Sequence, residues 1–222
     1  MGDHPKGGNE KSIKYMVLKE KCKKCRRSGQ KLFLKSERCF SQKCSMIRTP
    51  YAPGLHGRAK KREMSEYGRQ LAEKQRFKLI YGVLEKQFKN YVLAATKEKG
   101  DNRENLLKKL EMRLDNVVYK LGLAKARYIS KQIVGHGHIL VNNHKTDIPS
   151  YQLKVGDVIS IRERSKKSSL FKDLAVLLKK YETPSWLSLD KDKLEGKIIS
   201  QPVIEDQKEL TGVGIVIEYY SR

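Results

Sequence analysis

Hydrophobic positions fall on two different periods along this chain, and the change of period divides it. From Ser65, a candidate N-cap, the run SEYGRQLAEKQRFKLIYGVLEKQFKNYVLAATKEKG places Leu71, Leu79, Val83 and Tyr91 where helical faces can be buried. Gly82 predicts a break between two helices there. After Gly100-Asp101-Asn102, the positions Leu106, Leu107, Leu110, Leu114, Val117, Val118 and Leu121 recur every three or four residues, the mark of an amphipathic helix. KARYISKQIV predicts a further short helix ending at Gly135 and Gly137. The pattern then shortens. HILVNN and KTDIPSYQLKVGDVISIRER hold β-branched, apolar-rich runs separated by Asn and Gly-Asp turns, so they predict strands. SKKSSLFKDLAVLLKK returns to helix, and the closing IVIEYY after TGVG has strand character.

The first 62 residues have no such periodicity. Residues 1–20 are polar, Gly-bearing and lysine-rich, a flexible basic arm. PYAPGLHGRAKKR (50–62) has two prolines and two glycines and is expected to be a loop. No stretch approaches the roughly 20 continuous apolar residues of a membrane span, and the N-terminus has no apolar signal core. A cytoplasmic protein is expected.

Charge decides the class of partner. The 222 residues carry a formal net charge of +23. Residues 1–62 hold 18 Lys and Arg against 4 Asp and Glu, residues 63–181 hold 25 against 13, and residues 182–222 hold 5 against 8. A compact protein so charged repels itself, and a polyanion relieves that repulsion. Membrane lipid would require an amphipathic anchor with aromatic residues on its apolar face, which is missing, so nucleic acid is the expected partner. No Gly-rich phosphate loop, Ser–His–Asp order or paired carboxylates point to an enzyme.

All four cysteines lie in KCKKCRRSGQKLFLKSERCFSQKC (21–44), spaced C-x2-C-x13-C-x4-C at Cys22, Cys25, Cys39 and Cys44. A disulfide suits a different compartment, and a redox Cys-x-x-Cys would need a βαβ setting. Four unrelated thiols remain an alternative. Two short pairs separated by a linker are what a tetrahedral Zn²⁺ site needs, and an iron–sulfur cluster is the alternative occupant. The flanking cations would offset the charge of a four-thiolate centre.

PYAPGLHGR, EKQRFKLIYGVLEKQF, RLDNVVYKLGLA, SKQIVGHGHILVNN, DIPSYQLKVGDVISIRE and IEYYSR, taken together and in this order, resemble the bacterial small-subunit ribosomal protein S-four family. The resemblance covers residues 21 to 222 and implies an α+β protein. Its expected parts are a zinc knuckle over 21–49, a mainly helical domain over 50–111 and 183–222, and an inserted α/β RNA-binding module over 112–182. It implies a primary binder of small-subunit ribosomal RNA that nucleates assembly of the subunit body. It also implies a wall of the channel by which messenger RNA (mRNA) enters, beside ribosomal protein S-five. A pseudouridine synthase-like RNA-modifying enzyme bearing the same module is the alternative function. From the module the resemblance carries over Arg113, Asn116, Arg127, Lys131, Gln132, His136 and His138. Arg and Lys suit phosphate, and Asn, Gln and His suit sugar hydroxyls. Asn116 and the two histidines also have a bland reading, as a helix brace and as turn residues. The loop and its neighbours add Arg38, Arg48, Tyr51, His56, Gly57, Arg58, Arg69, Lys74 and Arg76 as expected RNA contacts.

Overall fold

Ser65 starts the main helical part as expected, its hydroxyl accepting the backbone N–H of Gly68. The computed structural model describes residues 20–59, 63–168, 170–171, 174–179, 181–203 and 212–221. Its elements are α1 (Lys21–Ser28), a 3₁₀ turn (Glu37–Cys39), α2 (Ser45–Arg48), α3 (Glu66–Tyr81), α4 (Glu85–Lys97), α5 (Asn102–Glu111), α6 (Leu114–Lys120) and α7 (Arg127–Gly135). Then follow β1 (Ile139–Val141), β2 (His144–Lys145), β3 (Val158–Ile161), α8 (Glu163–Lys166), α9 (Leu174–Lys179), β4 (Leu187–Asp190), β5 (Glu195–Ile198) and α10 (Val213–Tyr220). The basic arm falls outside the described residues apart from Glu20. Gly82 closes α3 in the left-handed region, φ 59° and ψ 39°, so the predicted break falls where glycine permits it.

The apolar run from Leu106 to Leu121 forms two helices, not one. Leu106, Leu107 and Leu110 enter a core built from α3, α4, α5, α10 and the cysteine segment. Leu114, Val117, Val118 and Leu121 enter a second core under the sheet. A single straight helix could not serve both, and the chain turns at Arg113, which is extended at φ −71° and ψ 137°. Leu114 and Asp115 donate their N–H groups to Tyr151 O and Pro149 O, and Leu153 donates to Met112 O, so backbone bonds fix the turn.

The sheet is antiparallel, in the order β2-β1-β3-β5-β4. Ile139 pairs with Ile161 and Val141 with Ile159, and all four side chains are buried against α6 and α7. Residues 183–222, expected together with the helical part, divide instead. Trp186, Leu187 and Ile198 join the core of the sheet, and Val213 and Val216 belong to the helical core. Gly196 allows this, since a Cβ there would stand 2.4 Å from Leu121 Cδ1.

IVIEYY is a further correction. It lies within α10, where Val213, Val216, Ile217 and Tyr220 form one stripe against α3 and α5. Those positions are spaced three, four and seven apart, so the helical stripe outweighs the β-propensity of the branched residues.

Candidate nucleic-acid interface

The cysteine segment folds back on itself through short elements. Cys22 and Cys25 stand one turn apart on α1, Cys39 ends the 3₁₀ turn, and Cys44 precedes α2. All four are unpaired thiols, three of them buried. Burial pushes the thiols of Cys25 and Cys39 up, a backbone bond from Leu32 or Lys35 pulls each back, and the other cysteines add to the rise. The thiols therefore lie within electrostatic reach of one another, and the Lys35 N–H donates to Cys39 Sγ at 3.2 Å. Among the described residues, no three or more Cys, His, Asp or Glu side chains are arranged to hold a metal ion. What suits a metal is the chemistry of the donor set: four thiols in one short segment, with peptide N–H groups directed at Cys25 and Cys39.

Arg26 attaches the following loop to α1. Its Nε donates to Tyr51 O at 2.8 Å and its Nη2 to Ala52 O at 3.4 Å. The Tyr51 ring lies between two guanidiniums, Arg26 at 5.0 Å and Arg58 at 4.7 Å. Arg58 also donates to the Tyr51 hydroxyl, which holds that phenol below its ordinary pKa. Gly57 is required by close approach, because a Cβ there would meet Ala52 O at 1.9 Å. Arg38, Arg48, His56, Arg58 and Arg69 are exposed, so the expected basic surface exists over this part.

Four of the expected RNA contacts are directed inward. Lys74 and Arg76 on α3 are only 5% and 7% exposed. Lys74 donates to Glu85 at 2.8 Å and lies 4.4 Å from the Tyr219 ring, while Arg76 donates to Glu73 and Gln30. Arg113, 2% exposed, donates from Nε and Nη2 to the two oxygens of Asp115 at 3.0 and 2.8 Å. Its Nη1 reaches the Tyr91 hydroxyl at 2.6 Å. Lys131 Nζ lies 3.6 Å from Asp115 and donates to Gly82 O. Burial pushes Lys131 below its ordinary pKa, with Asp115 opposing. These four side chains are corrected from surface contacts to internal braces, because a buried charge needs a partner inside the protein.

Asn116 belongs to the same joint and takes its brace reading. Its amide donates to the carboxylate of Glu111 at 2.7 Å, which also accepts the Tyr81 hydroxyl, and its oxygen accepts Arg127 Nε at 2.9 Å. The network ties α3, α4 and α5 to α6 and α7. Arg127 is half-buried, its guanidinium 4.5 Å from the Tyr119 ring. Gln132 and His136 on the outer side of α7 are exposed. His138 is half-buried, with Nδ1 2.9 Å from Ser165 Oγ, and burial followed by the nearby His136 and Arg162 pushes it down.

The Asn turn expected after HILV is present: Asn142 and Asn143 both take positive φ, 50° and 66°, and turn a tight hairpin. It leaves His144 and Lys145 exposed, two residues the sequence reading did not single out.

Comparisons with known proteins agree with this layout. Residues 17–111 match the family described as Ribosomal protein S4/S9 N-terminal domain, and residues 112–159 match the S4 domain. The boundary falls at the turn between α5 and α6. The chain is similar to the small ribosomal subunit protein uS4 of Syntrophomonas wolfei subsp. wolfei, 45% identical over 90% of this chain and 96% of the relative. It is likewise similar to the uS4 proteins of Fervidobacterium nodosum and Thermosipho africanus, each 50% identical over 90% of this chain and 96% of the relative.

Proposed function

The chain belongs to the small ribosomal subunit protein uS4 family, and from that premise we propose that it builds into the small ribosomal subunit by binding its RNA. It is a structural protein and not an enzyme, which removes the pseudouridine synthase-like alternative. The observation that carries the reading is similarity to these relatives over nine-tenths of the chain. The charge of +23, the exposed cations Arg38, Arg48, Arg58 and Arg69, and the half-buried Arg127 at the start of α7 supply the physical means. The interface is the surface bearing Arg38, Arg48, Tyr51, His56, Arg58 and Arg69, continued by Arg127, Gln132, His136 and His138. It positions the protein by phosphate and sugar contact. Chemical footprinting on small-subunit ribosomal RNA tests this. Protection of a discrete site, with co-sedimentation of the protein with small subunits, is the expected result; uniform weak protection would sink it.

Finer parts of the reading belong to the same proposal. Early binding to the RNA would nucleate the subunit body. One flank would line the channel by which mRNA enters, and the acidic tail would face protein, ribosomal protein S-five among the neighbours. The net −3 of residues 182–222 supports a protein-facing tail. Cys22, Cys25, Cys39 and Cys44 would hold Zn²⁺. The support is their paired spacing, the Lys35 N–H on Cys39, and the cations of α1 that offset a doubly negative centre. A bound ion would also keep the buried thiols ionised, against the direction in which burial moves them. Elemental analysis of reduced protein should return about one zinc per chain; below half an equivalent of any metal the assignment fails, and iron would mark a cluster.

A further inference from the structure

Between the cysteine segment, the end of α3 and the start of α7 runs a groove that the basic surface does not explain. It consists of two adjoining hollows, with about 360 and 420 Å³ of open space, sharing Phe33, Ile80 and Arg127. One end is apolar and aromatic, lined by Phe33, Leu79, Ile80, Tyr81 and Tyr128. The other is polar and cationic, lined by Gln30, Lys31, Arg76 and Arg127. A ligand with a flat apolar part and an anionic part suits both ends; an apolar peptide would suit only the first.

Phe33 is the unusual residue. It takes φ 48°, in the left-handed region that bulky side chains avoid. Such a conformation persists where its surroundings impose it, and here it sets the ring in the wall of the groove. The same ring stacks on Phe40, centroids 5.2 Å apart, although Phe40 is 70% exposed. Core packing therefore does not account for the pair. Across the groove, Lys21 Nζ lies 3.0 Å from the centroid of the Tyr128 ring. Aromatic faces interleaved with cations are the arrangement by which proteins hold unstacked bases.

We propose that the groove holds one unstacked nucleotide of the bound RNA, its base on Phe33 and its phosphate toward Lys31 and Arg127. This rests on the RNA-binding reading above and names a site within it. Three separate stretches of chain form the groove, so only the folded protein offers it.

The test measures affinity of the full-length, metal-loaded chain for small-subunit ribosomal RNA across a salt series. Phe33→Leu keeps an apolar side chain and removes the π face; it should weaken binding by about 5- to 150-fold, with the salt slope unchanged because no phosphate contact is lost. Phe33→Tyr should bind as the unsubstituted protein does. Phe33→Trp supplies a direct readout, since the chain's one other tryptophan, Trp186, is 1% exposed. Its added emission should be quenched when RNA binds, even if Phe33→Leu folds poorly. Unchanged affinity in Phe33→Leu together with unquenched Phe33→Trp emission overturns the nucleotide site alone. Failure of the unsubstituted protein to bind the RNA overturns the broader reading as well.

Discussion

Arg113 brings a full positive charge to a place only 2% exposed, and both oxygens of Asp115 meet it along the Nε–Nη2 edge of the guanidinium. Burial alone would lower the Arg113 pKa, but Asp115 and Tyr91 raise it, so the ion pair stays charged. Asp115 also faces Lys131 at 3.6 Å and so serves two buried cations. Removing one partner of such a pair costs more than the pair contributes, since the survivor is stranded. Asp115→Asn should therefore lower unfolding stability by about 3–5 kcal/mol in denaturant titration. Arg113→Met, Asp115→Leu and Lys131→Met combined should recover most of that loss. If Asp115→Asn were nearly neutral, the joint between the two cores would be held by apolar packing instead. Arg113 was legible from the sequence as a basic residue at the head of a helix, but not as an internal one. Its partner Tyr91 lies 22 positions away, and Lys131, which shares Asp115 with it, lies 18 away; both reach the site only after folding.

Glu85, at the first turn of α4, joins three helices. It accepts hydrogen bonds from Lys74 and Lys78 of α3 and from the Tyr220 hydroxyl of α10. Burial would raise its pKa, yet these bonds lower it to about 2 from an ordinary 4.5. Because the folded pKa lies below the unfolded one, the stabilisation is present above pH 4.5 and is lost as pH falls toward 2. Glu85 is 46% exposed, so solvent screening reduces the worth of the shift to about 1 kcal/mol. Glu85→Gln should be less stable than the unsubstituted chain near neutrality, and the two should converge between pH 4.5 and 2. A constant gap across that range would show that Glu85 acts by packing. The same seam shows what element-level reading could and could not supply. Ser65 and Gly82 act through backbone geometry local to themselves, so both helix ends were legible. The helical identity of α10 was not, because its valines and isoleucines favour strands and only packing on α3 and α5 reveals the stripe. The break at Arg113 was hidden for a related reason: both halves of the run keep helical spacing and differ only in the core they enter.

For the whole molecule, the net charge of +23 says that a polyanion binds, and the fold decides which cations take part. Of the nine Lys and Arg expected to touch RNA, Lys74, Arg76, Arg113 and Lys131 are buried, which leaves Arg38, Arg48, Arg58, Arg69 and Arg127. Each phosphate neutralised releases counterions, contributing about −0.7 to −0.9 to the slope of log affinity against log salt. These five alone should give a slope of about −3.5 to −4.5, and other exposed lysines can only steepen it. Stability and salt dependence thus separate the two classes of cation. Arg58→Gln should flatten the slope by about 0.7–0.9 and leave the folded protein as stable as before. Lys74→Met should leave the slope unchanged and lower stability, because its charge is already answered by Glu85 at 2.8 Å. A filter-binding series on small-subunit ribosomal RNA between low and moderate salt, run beside denaturant titrations of both variants, measures this. The reverse pattern, Lys74→Met flattening the slope and Arg58→Gln not, would mean that RNA binding opens the α3–α4 seam and turns its cations outward.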